Sequence, residues 1–355
     1  MERALTARGR ELALFLVYDR PEREAERPGL ARAFFARRCV SDAQLSQTIE
    51  AFRAIGAYVE LFEGERPFLA ALADGRLERL GRPLRVVYNG IEGGIGFDGF
   101  EPGRKALIPA VADSYELVCA NSNAYACALG RHKFHYLTVL AALGVPTPRA
   151  WHYRPGLGWA GGHAPPEGRK VIAKSTYESW SVGVTEDSIF TVDPSCEGRV
   201  DAIARAIGQP VTVQEFVAGP EVCVPVLSLP DRLATPPVEA VLAKSPADPT
   251  AVMTIDDNLR DGAVTYRPFD APKEVSARLA GAAVTAFTAL ELQAFARIDF
   301  RIADAGLPWV IDVGVSPGLS TAGSAFASLS ALGFDHPAFL RLVVAATLAH
   351  RGLLT

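Results

Sequence analysis

The chain has 355 residues, 49% hydrophobic and 21% charged, which is enough apolar material for two or three packed domains and too little charge for a disordered chain. Its 36 Lys and Arg against 40 Asp and Glu leave a formal net charge of −4, without the basic excess of a nucleic-acid or membrane-surface binder. Any anion it handles must be met by a few placed cations.

Cys39, Cys119, Cys127, Cys196 and Cys223 are scattered, with no CxxC pair. Neither a disulfide scaffold nor a zinc site fits that spacing, and a reducing compartment is expected. The apolar run Leu12–Tyr18 is about a third of a membrane span and no small-residue cleavage site follows it. The expectation is a soluble cytoplasmic protein.

Taken in chain order, Leu12–Tyr18 is nearly continuous in its apolar character, as in a strand buried on both faces. A helix is expected over residues 30–38. The next begins at Ser41, where Ser41-Asp42-Ala43-Gln44 has the form of a capping box. Leu45, Ile49, Phe52 and Ile55 share its apolar face, and Gly56 ends it. Residues 58–62 and 85–88 read as further strands, so the first third is parallel α/β. From Arg131 a helix with Phe134, Leu137, Leu140 and Ala141 on one side runs to Gly144 and Pro146. Beyond it the order is strand-rich, closer to α+β. Residues 151–168, rich in glycine and proline, read as an exposed hairpin or insertion. Residues 229–272 form a long, proline-rich irregular stretch, functional or mobile. Helices return at 274–290 and 335–350, the latter with Asp335 as N-cap and Pro337 in its first turn.

Three stretches carry chemistry. In residues 295–302, Ala296, Ile298, Phe300 and Ile302 alternate with Arg297, Asp299 and Arg301. In residues 309–315, Asp312 and Gly314 stand opposite Trp309, Ile311 and Val313. The turn 304–306 makes these two strands an antiparallel hairpin, and alternation can bring Asp299 and Asp312 onto one face beside Arg297. Either a hard divalent cation sits between the carboxylates, or the face is a solvated set of Arg–Asp pairs. The second stretch is a short strand ending in Lys174, followed by Ser179-Trp-Ser-Val-Gly-Val184. It suits a phosphate, through backbone N–H groups and a point charge, or an ordinary surface turn. Residues 213–217 run as a strand into a turn before Glu221. They could read an adenine edge and ribose hydroxyls, or be a plain strand end. Glu92, in the glycine-rich run 89–99, could hold a substrate amino group or be solvated. His132 and His135 read as helix-surface or substrate-side groups.

In this order, the segments resemble the ATP-grasp superfamily, and within it the D-alanine–D-alanine ligase-like branch, over roughly residues 86–333. The run 89–99 is similar to the branch's glycine-rich loop. Ala128-Leu-Gly-Arg-His-Lys133 with Leu143-Gly-Val-Pro-Thr-Pro148 resembles its "DK…GIPTP" segment. The resemblance implies Lys133 and Lys174 as nucleotide-phosphate lysines and Ser179 and Ser181 in a phosphate-covering loop. It implies Gln214, Glu215, Phe216 and Val217 as adenine hinge and Glu221 as ribose carboxylate. Asp299 and Asp312 fall at metal-binding acids, and Arg297, with Lys174 and Ser181, at catalytic positions. Ser316 and Gly318 fall in the substrate-side turn 316–320.

Departures accompany the match. The usual Glu-x-Asn is Asp312-Val313-Gly314, which lacks the asparagine of a second metal site. Ser179-Trp180 replaces Gly-Ser, and Phe97 replaces the acid of the glycine-rich loop. Asp19-Arg20-Pro21 stands where true D-alanine–D-alanine ligases carry GGxSxE. The tyrosine–lysine substrate loop is replaced by the proline-rich stretch ending at Pro272. The losses are mostly on the substrate side.

The resemblance implies an α/β and α+β, three-subdomain ATP-grasp fold: an N-terminal parallel α/β domain (1–120), a central subdomain (121–212) and a C-terminal subdomain (213–355). It implies an ATP-dependent carboxylate–amine ligase working through an acyl phosphate, with ATP and Mg²⁺ as cofactors. The partners implied are small amino-acid-like substrates and, as often in the family, a second copy in a homodimer, with no nucleic acid or membrane. Rival expectations are D-alanine–D-alanine ligation itself, a non-catalytic nucleotide binder, or the same fold transferring phosphate or forming a thioester.

Overall fold

The computed structural model describes residues 1–19, 40–91, 102–120, 122–229 and 233–354. The expected helix at 30–38, Cys39, Glu92 and the rest of the glycine-rich run lie outside the described residues. Three sheets organise the described residues.

The first sheet is parallel, in the order β2-β1-β3-β4, from β1 (Leu12–Tyr18), β2 (Tyr58–Glu63), β3 (Leu84–Asn89) and β4 (Val118–Cys119). Strand alternation explains why β1 is apolar throughout. Leu12, Leu14 and Leu16 enter one core with Phe52 and with Phe339 and Val343 of the C-terminal helix His336–His350. Ala13, Phe15 and Val17 enter the opposite core with Phe68, Leu72 and Ile108. Truncating a fully buried phenylalanine such as Phe339 removes about 3–5 kcal/mol. The expected caps are present. Ser41 Oγ accepts from the Gln44 N–H and Gln44 Oε1 accepts from the Ser41 N–H, both at 3.3 Å. Asp335 accepts from the Ala338 N–H at 2.8 Å.

The second sheet is antiparallel, in the order β6-β5-β9-β7-β8, from β5 (Ala150–Arg154), β6 (Gly158–Trp159), β7 (Lys170–Ser175), β8 (Ile189–Thr191) and β9 (Val211–Glu215). The hairpin at 151–168 exists, but Trp151 and Tyr153 are buried among Val171, Ala173 and Val213. Exposure begins only at Arg154.

The third sheet runs β13-β12-β10-β14-β15, from β10 (Glu221–Leu227), β11 (Leu233–Ala234), β12 (Val238–Leu242), β13 (Val264–Pro268), β14 (Phe295–Ala303) and β15 (Leu307–Gly314), with β11 paired to β10. The stretch 229–272 is therefore not irregular throughout. It supplies β11, β12, the short helix Ile255–Leu259 and β13. β13 is an exposed edge strand ending at Pro268, and such strands bury too little to show an apolar alternation.

Two further expectations shift. The helix expected from Arg131 is Lys133–Ala142, and an unforeseen helix, Ala124–Arg131, precedes it across a break at His132 with φ −100° and ψ 91°. The buried face of Lys133–Ala142 carries Lys133, Tyr136, Leu137 and Leu140. Phe134 is only half-buried and Ala141 is exposed. In the hairpin, Asp299 pairs with Asp312 but Phe300 pairs with Val310. Ile311 is the extra residue of a β-bulge, which interrupts alternation. Val310 and Val313 face the core, while Ile311 and Asp312 both border the cleft.

Candidate active site

A cleft of about 620 Å³ is bordered by β7, β9, β10, β14 and β15. Lys133, Lys174, Ser179, Ser181, Gln214, Glu215, Phe216, Val217, Glu221, Arg297, Asp299, Asp312, Ser316 and Gly318 all border it. Segments far apart in the chain thus meet on one surface.

Lys133 opens its helix and is buried. Its ammonium donates to the Glu178 carbonyl and lies 3.9 Å from Asp312. Lys174 stands on β7 and donates to the Ile311 carbonyl at 3.3 Å, across to the bulge. Burial pushes Lys174 down to about 8, with Lys133 and Arg301 acting the same way and Asp312 and Glu221 against. It is still mostly a cation at neutral pH.

The hairpin holds its two carboxylates differently. Asp299 accepts from Arg297 through both oxygens, at 2.7 Å each, and Arg297 also donates to Ser324 at 3.2 Å. Asp312 Oδ1 accepts from the Tyr136 hydroxyl at 2.6 Å and from the Val313 N–H at 3.0 Å. Burial alone would raise Asp312, but Lys133 and Lys174 outweigh it and hold the carboxyl below its ordinary value. Tyr136 and Asp312 are a pair the sequence reading missed. A fully buried tyrosine needs a partner for its hydroxyl, and that need was the available signal.

Two facing carboxylates suit Mg²⁺, which is usually held by one or two carboxylates together with phosphate oxygens. Among the described residues no group of three His, Cys, Asp or Glu could cage a metal without such help. Gly314 pairs with Arg297 and offers no side-chain donor. A Cβ there would make only ordinary contact, at 3.5 Å or more.

On β9, beside the strand that carries Lys174, Gln214 is 1% exposed, and neither amide atom has a hydrogen-bond partner among the described residues. Such an orphaned buried group costs about 1–3 kcal/mol and offers a paired donor and acceptor to a ligand edge. Phe216 lies beside it, under the Lys170 ammonium at 4.9 Å. Burial raises Glu221, with Arg301 acting to lower it. In the loop 179–184, Trp180 and Ser181 have φ of +61° and +56°, a left-handed conformation that costs roughly 1–2 kcal/mol per non-glycine residue. Ser179 accepts from Arg131 at 2.9 Å, and Ser181 from Asn258 at 3.2 Å. Arg131, Lys105, Asn258 and Arg301 also border the cleft and were not singled out from the sequence.

His135 is exposed on its helix, as expected, but His132 is buried, and neither borders the cleft. His132 is 5% exposed, caps its helix by accepting from the His135 N–H at 3.3 Å, and stacks on His135 with centroids 3.4 Å apart. Burial pushes His132 down to about 3 and His152 to about 4. Cys119, Cys127, Cys196 and Cys223 are buried.

The family model described as "D-ala D-ala ligase C-terminus" matches residues 170–345. The chain is 28% identical over 239 residues to the D-alanine–D-alanine ligase of Desulforudis audaxviator, covering 67% of this chain and 72% of that enzyme. Against the Moorella thermoacetica enzyme it is 26% identical over 268 residues, covering 73% and 81%. Its fold matches the D-alanine–D-alanine ligase of Bacillus anthracis complexed with ATP, with TM-score 0.69, 14% identity, and coverage of 96% and 99%. The Coxiella burnetii ligase matches with TM-score 0.61, 16% identity, and coverage of 96% and 95%. Among the described residues no helix is long and apolar enough to cross a membrane.

Proposed function

Since the chain belongs to the D-alanine–D-alanine ligase-like branch of the ATP-grasp superfamily, a group of ATP-dependent carboxylate–amine ligases, we propose that its cleft activates a small amino-acid-like carboxylate and joins it to an amine. The observation that carries this is the meeting of Lys133, Lys174 and Arg297 with the facing pair Asp299 and Asp312 in one cleft that also holds the orphaned amide of Gln214.

Gln214 and the strand end to Val217 would take the base, Glu221 the ribose, and Lys133 and Lys174 the phosphate oxygens, with Ser179 and Ser181 covering them. The substrate carboxylate attacks the γ-phosphorus, the bond to the bridging oxygen breaks, and ADP leaves. The amine then attacks the acyl carbon, phosphate departs, and the amine proton passes to solvent. Arg297 faces the charge that builds up on the transferring group, where one such contact is typically worth 2–4 kcal/mol of barrier, as an order of magnitude. Mg²⁺ bound between Asp299 and Asp312 would neutralise phosphate oxygens, and with Gly314 in place of a donor we assign one such site. Ser316 and Gly318 lie on the substrate side. The reading also places the enzyme in the cytoplasm. It keeps the division 1–120, 121–212 and 213–355, with the second boundary moved to follow Glu215 so that β9 stays with its sheet.

D-alanine as both substrates is the second reading, favoured by the relatives named above. A panel of amino acids with ATP and Mg²⁺, followed by phosphate release and product mass, tests both. An amide product with ADP and phosphate supports the ligase, and D-alanyl-D-alanine supports the narrower reading. A phosphorylated or thioester product, or ATP binding without turnover, would sink it.

A further inference from the structure

Arg301 is the third polar residue on the cleft face of β14, after Arg297 and Asp299, and the chemistry above leaves it unused. It is 5% exposed and sits opposite Glu221 in the β10–β14 register. Acceptors from two chain segments, 219–221 and 249–251, converge on its guanidinium. Nη1 donates to the carbonyls of Gly219 at 2.7 Å and Pro249 at 3.2 Å. Nη2 donates to the carbonyl of Ala251 at 2.6 Å and to Glu221 Oε2 at 3.4 Å. The rigid fork of an arginine can serve such a set, and the point charge of a lysine cannot. The backbone supports the same junction. The Gly219 N–H donates to the Pro249 carbonyl at 2.8 Å, and a Cβ on Gly219 would lie 1.9 Å from the Ile302 carbonyl oxygen.

From this anchor the chain runs on to the phosphate-loop residues. Asn258 donates to the Trp180 carbonyl and to Ser181 Oγ, each at 3.2 Å. Lys244, on the approach to the segment, is held between Glu186 at 2.7 Å and Asp257 at 2.8 Å. Residues 249–258 therefore touch Glu221 through Arg301 at one end and the left-handed pair Trp180 and Ser181 at the other. A pair in that conformation persists only where its surroundings hold it.

We propose that Arg301 is a positioning residue for nucleotide binding. It locks Glu221 to residues 249–251, so that filling the adenosine end and closing the loop 179–184 over the phosphates are linked through residues 249–258. The inference rests on the ligase reading of the cleft. Its test uses the full chain and calorimetric titration with ATP and with AMP, for wild type, Arg301→Met, Arg301→Lys, Asn258→Ala and the Arg301→Met/Asn258→Ala double variant. Arg301→Met is expected to weaken ATP and AMP alike by about tenfold, the scale of one charge-assisted hydrogen bond, and Arg301→Lys to recover little of it. Asn258→Ala is expected to weaken ATP more than AMP. The double variant should fall short of the product of the two single effects.

A folded Arg301→Met with ATP affinity within about twofold of wild type, or a strictly multiplicative double variant, overturns the proposal. If wild type binds no ATP, the ligase reading fails as well, and that outcome is distinct. Hydrogen exchange on the wild-type protein decides the matter even if the variants do not fold. ATP should slow exchange in 249–258 and 179–184 together, and protection of 179–184 alone sinks the link.

Discussion

The β14–β15 hairpin and the segment 244–258 border the same cleft and are held in opposite ways. In the hairpin, ladder pairing aligns Asp299 with Asp312, and the core below it contains Ile298, Phe300, Val310 and Val313. Its polar side chains are placed by a rigid strand pair. The segment 244–258 has little core of its own, with Val252 packed against Ile172 and Val184. It is tied down by Arg301, Lys244 and Asn258. Rigid placement suits groups that must meet a transition state within a fraction of an ångström. A few polar tethers suit a part that has to let a nucleotide in and out. Changes at Arg297, Asp299 and Asp312 should therefore abolish chemistry, and changes at the tethers, Arg301 on the same hairpin among them, should mainly move affinity.

The largest effect is expected at Asp312. Asp312→Ala removes a carboxylate lying beside both lysines, and turnover followed by phosphate release should drop on the order of 10²–10³-fold. Asp299→Ala should do the same and leave the Arg297 guanidinium without its bidentate partner. Wild-type turnover in both would break the division between rigid and tethered regions. Tyr136→Phe, which removes only the hydroxyl that orients Asp312, should cost about tenfold in turnover with little change in ATP affinity.

Lys174 gives a contrast in pH. It is pushed from 10.5 down to about 8, so the free enzyme loses this cation as pH rises through about 8 and ATP affinity should fall. Folding should respond the other way. Between about 8 and 10.5 the unfolded chain binds the extra proton, so this group's contribution to stability rises with pH across that window. Lys174→Arg, which stays charged, should flatten both trends. ATP titrations from pH 7 to 9.5 that show no decline would rule out Lys174 as a phosphate contact.

Gly314 sharpens the hairpin half of the comparison. Space for a side chain exists there, so Gly314→Asn should supply the missing oxygen donor and lower the Mg²⁺ concentration for half-maximal turnover several-fold, roughly the worth of one ligand. An unchanged Mg²⁺ dependence would mean that the second ion has no place in this cleft even with its ligand restored.

The same contrast explains what could be read from the sequence. β1, the Ser41 capping box and the Asp335 cap were legible because each is a local pattern with one dominant cause: two-sided burial or an orphaned N–H. Asp299 and Asp312 could be placed together because a hairpin turn and a two-residue period predict partners. The bulge at Ile311 could not be read, since it depends on how the far strand closes over the core. β13 was hidden because an exposed edge strand carries little apolar signal, and β12, although interior to the sheet, because its three middle residues are only half-buried. Tyr136, Arg301 and Asn258 were missed for a common reason. Each acts through a contact made across more than forty residues of chain, and no local pattern announces such a contact.

The smallest effect is one of stability, at the break before Lys133. His132 and His152 ordinarily titrate at 6.5 but are pushed down to about 3 and about 4. Burial is the main cause, and they face His135, Arg154 and Tyr177. Below pH 6.5 the unfolded chain therefore binds protons that the folded chain refuses. Their contribution is complete above that value and is lost as pH falls toward the folded values. At about 1.4 kcal/mol per pH unit and per group, roughly 2 kcal/mol is at stake at pH 5 for each, and less than the sum because the rings are coupled. His132 also caps its helix as a neutral acceptor, and an asparagine can cap without titrating. His132→Asn should match wild type in urea midpoint at pH 7.5 and lose less stability than wild type at pH 5. An acid slope equal to that of wild type would show that the break is indifferent to this ring's charge, and the helix carrying Lys133 and Tyr136 would owe its placement to packing alone.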